Sequence, residues 1–136
     1  MKRYCLLAVV SGCVWALIAY TLSFGIFGEF VRAGLAASPL MGLVIGIVYL
    51  PAYKFPKWVQ GLLSLMTLYF AAALFGIAIG IYDALRPIPN RASAEVILQM
   101  VITAVWGITI TGYFLVLWPL AFLNHRLLSR AFNPAR

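Results

Sequence analysis

The chain alternates long uncharged runs with short polar junctions. No Asp, Glu, Lys or Arg lies between Arg3 and Glu29, between Arg32 and Lys54, between Lys57 and Asp83, or between Glu95 and Arg126. About 20 apolar residues in helix cross a hydrocarbon core of about 30 Å, and each gap is long enough to do so. The pattern predicts four transmembrane helices, over 4–28, 33–53, 58–82 and 96–123. Helices of this length bond their own backbone groups, as hydrocarbon requires. The expected fold is all-α: one domain over 1–136, four antiparallel membrane helices in a bundle, with only short connectors and tails outside it.

Composition agrees with that pattern. Of 136 residues, 65% are hydrophobic and 10% charged, and the mean hydropathy is +1.02. Soluble domains are roughly half apolar and about a quarter charged. A soluble core of this size could not hide so much apolar surface. An ordinary soluble globule, a disordered chain and a disulfide-rich module are therefore excluded.

The basic residues set an orientation. With four crossings, Lys2, Arg3, Lys54, Lys57, Arg126, Arg130 and Arg136 share one side, and Arg32, Arg86 and Arg91 share the other. The excess of Lys and Arg marks the cytoplasmic face, so both termini are expected inside a bacterial inner membrane. Lys54, Lys57, Arg126 and Arg130 are then placed to meet lipid headgroups of the bilayer. The net charge of +7 reads as this bias. The basic residues are too scattered for a nucleic-acid partner.

Local signals refine the spans. Met1-Lys2-Arg3 before an apolar run resembles a signal sequence, and Val10-Ser11-Gly12-Cys13 has the form of a lipoprotein cleavage site. The apolar run continues well past Cys13, so an uncleaved first helix is expected. Ser38-Pro39 reads either as the start of a shortened second helix or as a kink within a continuous one. Pro51 must disturb the end of that helix. The short connector from Lys54 to Lys57 makes the second and third helices a hairpin. The segment from Arg86 to Asn90, with two prolines, breaks the chain before Ser93, an N-cap with Glu95 in the first turn. Pro119 is expected to bend the fourth helix near its cytoplasmic end. Tyr4, Tyr53, Trp58, Tyr82 and Trp118 fall at span boundaries, as aromatic belts do.

Lipid is as apolar as leucine, so such helices associate through close packing of small residues. Gly12, Gly42, Gly46, Gly76, Gly80 and Gly107 all recur in runs of small residues four apart. The expectation is that these positions are helix contacts, either within the chain or with another copy.

The search for chemistry finds little. An ionisable residue deep in a membrane is costly and marks function, yet the four runs hold none. The embedded glutamate of a proton-coupled multidrug exporter is missing. Cys5 and Cys13 are eight apart on one helix, beyond disulfide reach, and form no CxxC motif. The lone histidine, His125, excludes bis-histidine haem or a multi-histidine zinc site from this chain alone; no cofactor and no metal are expected. His125 itself, beside Arg126, is expected to be solvated among headgroups. Glu29, Arg32, Asp83, Arg86, Arg91 and Glu95 should meet on the outer face, where the two distal arginines are candidates for a phosphate-bearing headgroup or a partner protein.

Many packing devices and no embedded catalytic residue point to a non-enzymatic role: an accessory or scaffold subunit, or a self-associating bundle. Its partner would be another membrane protein or itself. The alternative is a small oligomeric channel or transporter lined by Thr, Ser and carbonyls; a membrane enzyme acting on lipid-linked substrate ranks below both. Topology reporters fused to the two termini should both report from the cytoplasmic face. Reporters on opposite faces would contradict four crossings.

Overall fold

The computed structural model describes residues 2–22, 28–85 and 93–132. All regular structure among them is helical: α1 (Lys2–Leu22), α2 (Gly28–Tyr49), a 3₁₀ turn (Leu50–Lys54), α3 (Lys57–Ala84), α4 (Ser93–Ile110) and α5 (Phe114–Phe132). The segments Lys2–Thr21, Arg32–Lys54 and Lys57–Ala84 are each long and apolar enough to cross a membrane. A fourth span passes the same test only when α4 and α5 are taken together.

Successive helices run antiparallel. Gly12 of α1 faces Gly42 of α2, and Ala8 faces Gly46. On the next pair Gly34 meets the Phe75 ring, while the Tyr49 hydroxyl donates to the Gln60 carbonyl at 2.5 Å. Gly76 and Gly80 of α3 lie against Val101 and Ile97 of α4. The four helices thus form a row in chain order. α4 packs along α3, and α5 folds back onto α3 and α1.

Small residues fill the row. Tyr4, Ala8, Gly12 and Ala16 are the buried face of α1; Gly34, Ser38, Gly42 and Gly46 are that of α2. The four-residue interval brings each set onto one side of its helix. Large apolar side chains point outward instead, with Leu6 at 65%, Leu40 at 66% and Met66 at 62% exposure. This inverts the soluble pattern and suits a solvent of lipid tails.

At Pro39, the sequence left open a new helix start or a kink. α2 is continuous through Pro39. A proline leaves the carbonyl four residues back without its donor, here that of Leu35. Ser38 Oγ donates to this carbonyl at 2.7 Å, so the helix passes through with the freed group satisfied. At the far end Pro51 coincides with the change from α2 to the 3₁₀ turn.

The fourth span differs from the sequence expectation. It is not one rod over 96–123 bent at Pro119. It breaks at Thr111–Tyr113, and α5 leaves α4 at 101°. Gly112 has φ +70°, a left-handed conformation in which glycine avoids the Cβ clash. Its N–H reaches the Thr109 carbonyl at 3.2 Å, and its carbonyl accepts from Leu115 N–H at 3.0 Å as α5 begins. Pro119 sits inside α5 without ending it.

The glycine contacts separate two kinds of position. A Cβ on Gly42 would press on the Ala8 carbonyl oxygen, and on Gly12 Cα at 2.6 Å. These are backbone atoms that cannot turn aside. A Cβ on Gly61 meets nothing within 4 Å among the described residues. Gly42→Ala should lower the melting temperature in detergent, because overpacking of about 1–3 kcal/mol exceeds the propensity gain of about 1 kcal/mol. Gly61→Ala should leave it unchanged or raise it. Equal effects of the two substitutions would contradict the α1–α2 contact.

Candidate functional site

Spacing on α5 builds the site. Leu117, Ala121, His125 and Leu128 are buried at intervals of four, four and three residues, which is one helix face. The bend at Gly112 turns this face onto the row near the Lys57 end of α3. Trp118 Nε1 donates to the Gly61 carbonyl at 2.7 Å. Ser11 Oγ of α1 donates to Asn124 Oδ1 at 3.0 Å. The ring of Phe132 lies edge-on to Tyr4, with centroids 5.6 Å apart. Residues from both ends of the chain therefore meet under α5.

His125 is the centre of this cluster. It is 4% exposed and stacks on Tyr49, with ring centroids 3.6 Å apart and planes at 10°. Its Nε2 lies 2.9 Å from Thr67 Oγ1. Thr67 has one hydroxyl proton, which it donates to the Ser64 carbonyl at 2.9 Å. The bond to His125 therefore needs Nε2 as the donor, which assigns the proton to Nε2. Nδ1 then carries the lone pair. It is buried and has no hydrogen-bond partner among the described residues. Thr67 stands ten residues along α3 from Lys57, about 15 Å by helix rise. The headgroup position expected for His125 is thereby corrected. Its neighbour Arg126 is exposed, reaching over the Phe122 ring at 5.9 Å. Consecutive helical residues point about 100° apart, so a buried histidine beside an exposed arginine is no contradiction.

A second set of bonds braces the same end. Tyr4 donates its hydroxyl proton to the Gly46 carbonyl at 2.6 Å. The 3.3 Å contact between the Tyr4 and Tyr53 hydroxyls then has Tyr53 as donor. Gln60 Nε2 donates to the Phe55 carbonyl at 2.9 Å, holding the connector over the start of α3.

This arrangement narrows the chemistry. A general base must accept the proton of its nucleophile, whereas here His125 donates to the nearest hydroxyl, that of Thr67. Among the described residues no three His, Cys, Asp or Glu side chains group to hold a metal ion. What remains is one unpartnered imidazole nitrogen in an apolar, aromatic setting.

The other sequence candidates fall elsewhere. Gly12, Gly42, Gly46, Gly76 and Gly80 lie at helix contacts, and Gly107 has open space where a Cβ would stand. Asp83 is buried in the last turn of α3; Arg32 and Glu95 are exposed on α2 and α4. The antiparallel row puts these three at the same end. Glu29 lies in the first turn of α2, but its side chain is outside the described residues, as are Arg86, Arg91 and the proline segment between them. Lys54, Lys57, Arg126 and Arg130 are all exposed. Reading α5 by itself, with its interval of four from Leu117, would have placed His125 on the buried face. No protein-family model matches the chain, and no curated protein or solved structure matches it either.

The proton assignment has a measurable consequence. Thr67→Val leaves both imidazole nitrogens unpaired and should cost about 1–3 kcal/mol of stability. His125→Phe keeps the stack on Tyr49 and removes both nitrogens, so the double variant should recover most of that loss. A double variant as unstable as Thr67→Val alone, in detergent melts, would contradict the pairing.

Proposed function

We propose that the protein is a polytopic inner-membrane protein, with both termini cytoplasmic, that works by helix association as an accessory or scaffold subunit or as a self-associating bundle. One observation carries this reading. Five of the glycines at four-residue spacing are filled by neighbours in the chain, whereas Gly107 meets nothing within 4 Å among the described residues. It lies on α4 between Thr103 and Thr111, both exposed. Small residues at this interval let a second helix approach closely. α4 packs along α3, so the face around Gly107 is left for a helix from elsewhere. The excess of Lys and Arg at the termini and at Lys54–Lys57 supports the orientation.

A second reading has its own support. Discontinuous helices and irregular backbone at depth are how many carriers build a binding site, and the α4–α5 break has that form. The break lies about 18 Å along α5 from His125 by helix rise, so this reading rests on the break alone, and a small oligomeric channel or carrier would pass solute in liposomes.

Because a Cβ at Gly107 meets nothing within 4 Å among the described residues, Gly107→Ile tests association with little disturbance of the fold. Native mass in detergent and cross-linking in the bilayer should show the wild-type chain in a complex of fixed ratio, with itself or a larger membrane protein. The variant should lose that complex at an unchanged melting temperature. A wild-type protein that is a lone monomer in both settings would overturn the association reading.

A further inference from the structure

The groove between α2 and α3 shares Tyr49 and Thr67 with the His125 cluster and adds apolar walls of its own. It encloses about 300 Å³ and is walled by Val48, Pro51, Phe55, Leu63, Met66 and Phe70. Its lining is almost wholly apolar, with Tyr49 and Thr67 also contributing. The 3₁₀ turn ends at Lys54, and α3 begins at Lys57. Both lysines are exposed, and they flank Phe55, a wall residue, in sequence. The groove is apolar along its length, and the two exposed lysines bracket the connector at one end of it, which forms the rim.

The same rim has further donors. The residue before α3 is Pro56, and no side chain caps the helix there. The first N–H groups of α3 thus lack intrahelical acceptors, and the positive end of its dipole points toward the connector. These groups add to the two lysines; the groove and the charge are what define the site.

The occupant must be apolar over most of its length and anionic at one end. A second copy of this chain does not meet that requirement. The chain has only three acidic residues, Glu29, Asp83 and Glu95. They lie in the first turn of α2, the last turn of α3 and the first turn of α4, all at the other end of the row. Asp83 is 26 residues of helix from Lys57, about 39 Å. No Asp or Glu side chain of a copy aligned in the same membrane reaches Lys54 and Lys57. An anionic glycerophospholipid supplies both parts, since an acyl chain matches the walls and its phosphate matches the rim.

We propose that this groove is a specific binding site for one anionic phospholipid, with an acyl chain against Leu63, Met66 and Phe70 and the phosphate between Lys54 and Lys57. The proposal rests on the membrane reading of the helices and is independent of whether the protein self-associates. A lipid seated here also packs on the outer side of Tyr49 and Thr67, whose inner sides hold His125.

Native mass spectrometry of the purified full chain tests this with dioleoyl phosphatidylglycerol and dioleoyl phosphatidylcholine as probes. Two lysines at a rim correspond to a preference of about thirtyfold for the anionic lipid. Lys54→Gln or Lys57→Gln should each reduce it roughly fivefold, and the double variant should abolish it. Met66→Trp, which occupies the groove, should weaken retention of both lipids. Equal retention of the two lipids by the wild-type chain overturns the proposal. So does a preference that survives in the double variant, or retention unaffected by Met66→Trp. Circular dichroism of each variant checks that the helices are intact, and the native mass of the lipid-free chain reads association separately.

Discussion

A carbonyl in hydrocarbon has no water to lend it a donor, and an unpaired one costs several kcal/mol. The polar side chains of this chain are largely spent on that requirement. Ser38 serves the carbonyl that Pro39 strands. Tyr4 reaches across to Gly46, Tyr49 to Gln60, and Trp118 to Gly61. Each bond is local in chemistry but links two helices or repairs one. The polar inventory that looked idle in the sequence is a set of braces, and α5 is held by three of them together with its buried Leu117, Ala121 and Leu128. His125 belongs to this set through Nε2, and its Nδ1 is the buried side-chain atom left without a partner among the described residues.

Close backbone approach is the complementary device. Where glycines meet, as at Gly12 and Gly42, dispersion contacts form along the whole helix stretch with no side chain in between. That explains why the row holds together with few large residues inside. It also separates the positions by role. Gly42 tolerates no added atom, whereas Gly61 and Gly107 do. Their residue type is the same, and only the neighbouring helix distinguishes them.

Much of the architecture was legible from charge spacing. The first three spans lie within a few residues of α1, α2 and α3, because charges stop apolar runs where helices leave hydrocarbon. The break at Gly112 was not legible in that way. Glycine and threonine sit unremarked in an apolar run, and a left-handed φ leaves no trace in hydropathy. Pro119 drew attention instead, though α5 carries it without ending. His125 was misread for a related reason. With the fourth helix taken as one span over 96–123, position 125 falls past its end among basic residues. Once the chain turns at Gly112, the same position lies on an inward face against Tyr49 and Thr67. The small-residue interval gave the glycine positions, but it could not say that Gly107, unlike Gly76, faces no neighbour in the chain.

The docking of α5 also bears on how the chain is assembled. Its partners, Ser11, Tyr49 and Thr67, come from α1, α2 and α3, and so are synthesised long before it. Synthesis delivers the N-terminal part first, and the row α1 to α3 can pack from contacts between sequence neighbours alone. α5 is made after all three and joins positions as far apart in the chain as Ser11 and Asn124. A nascent protein still lacking this piece has Tyr49 and Thr67 uncovered. Until α5 is made and docked, such a chain presents those two side chains to any quality-control protease that reads unburied polar groups.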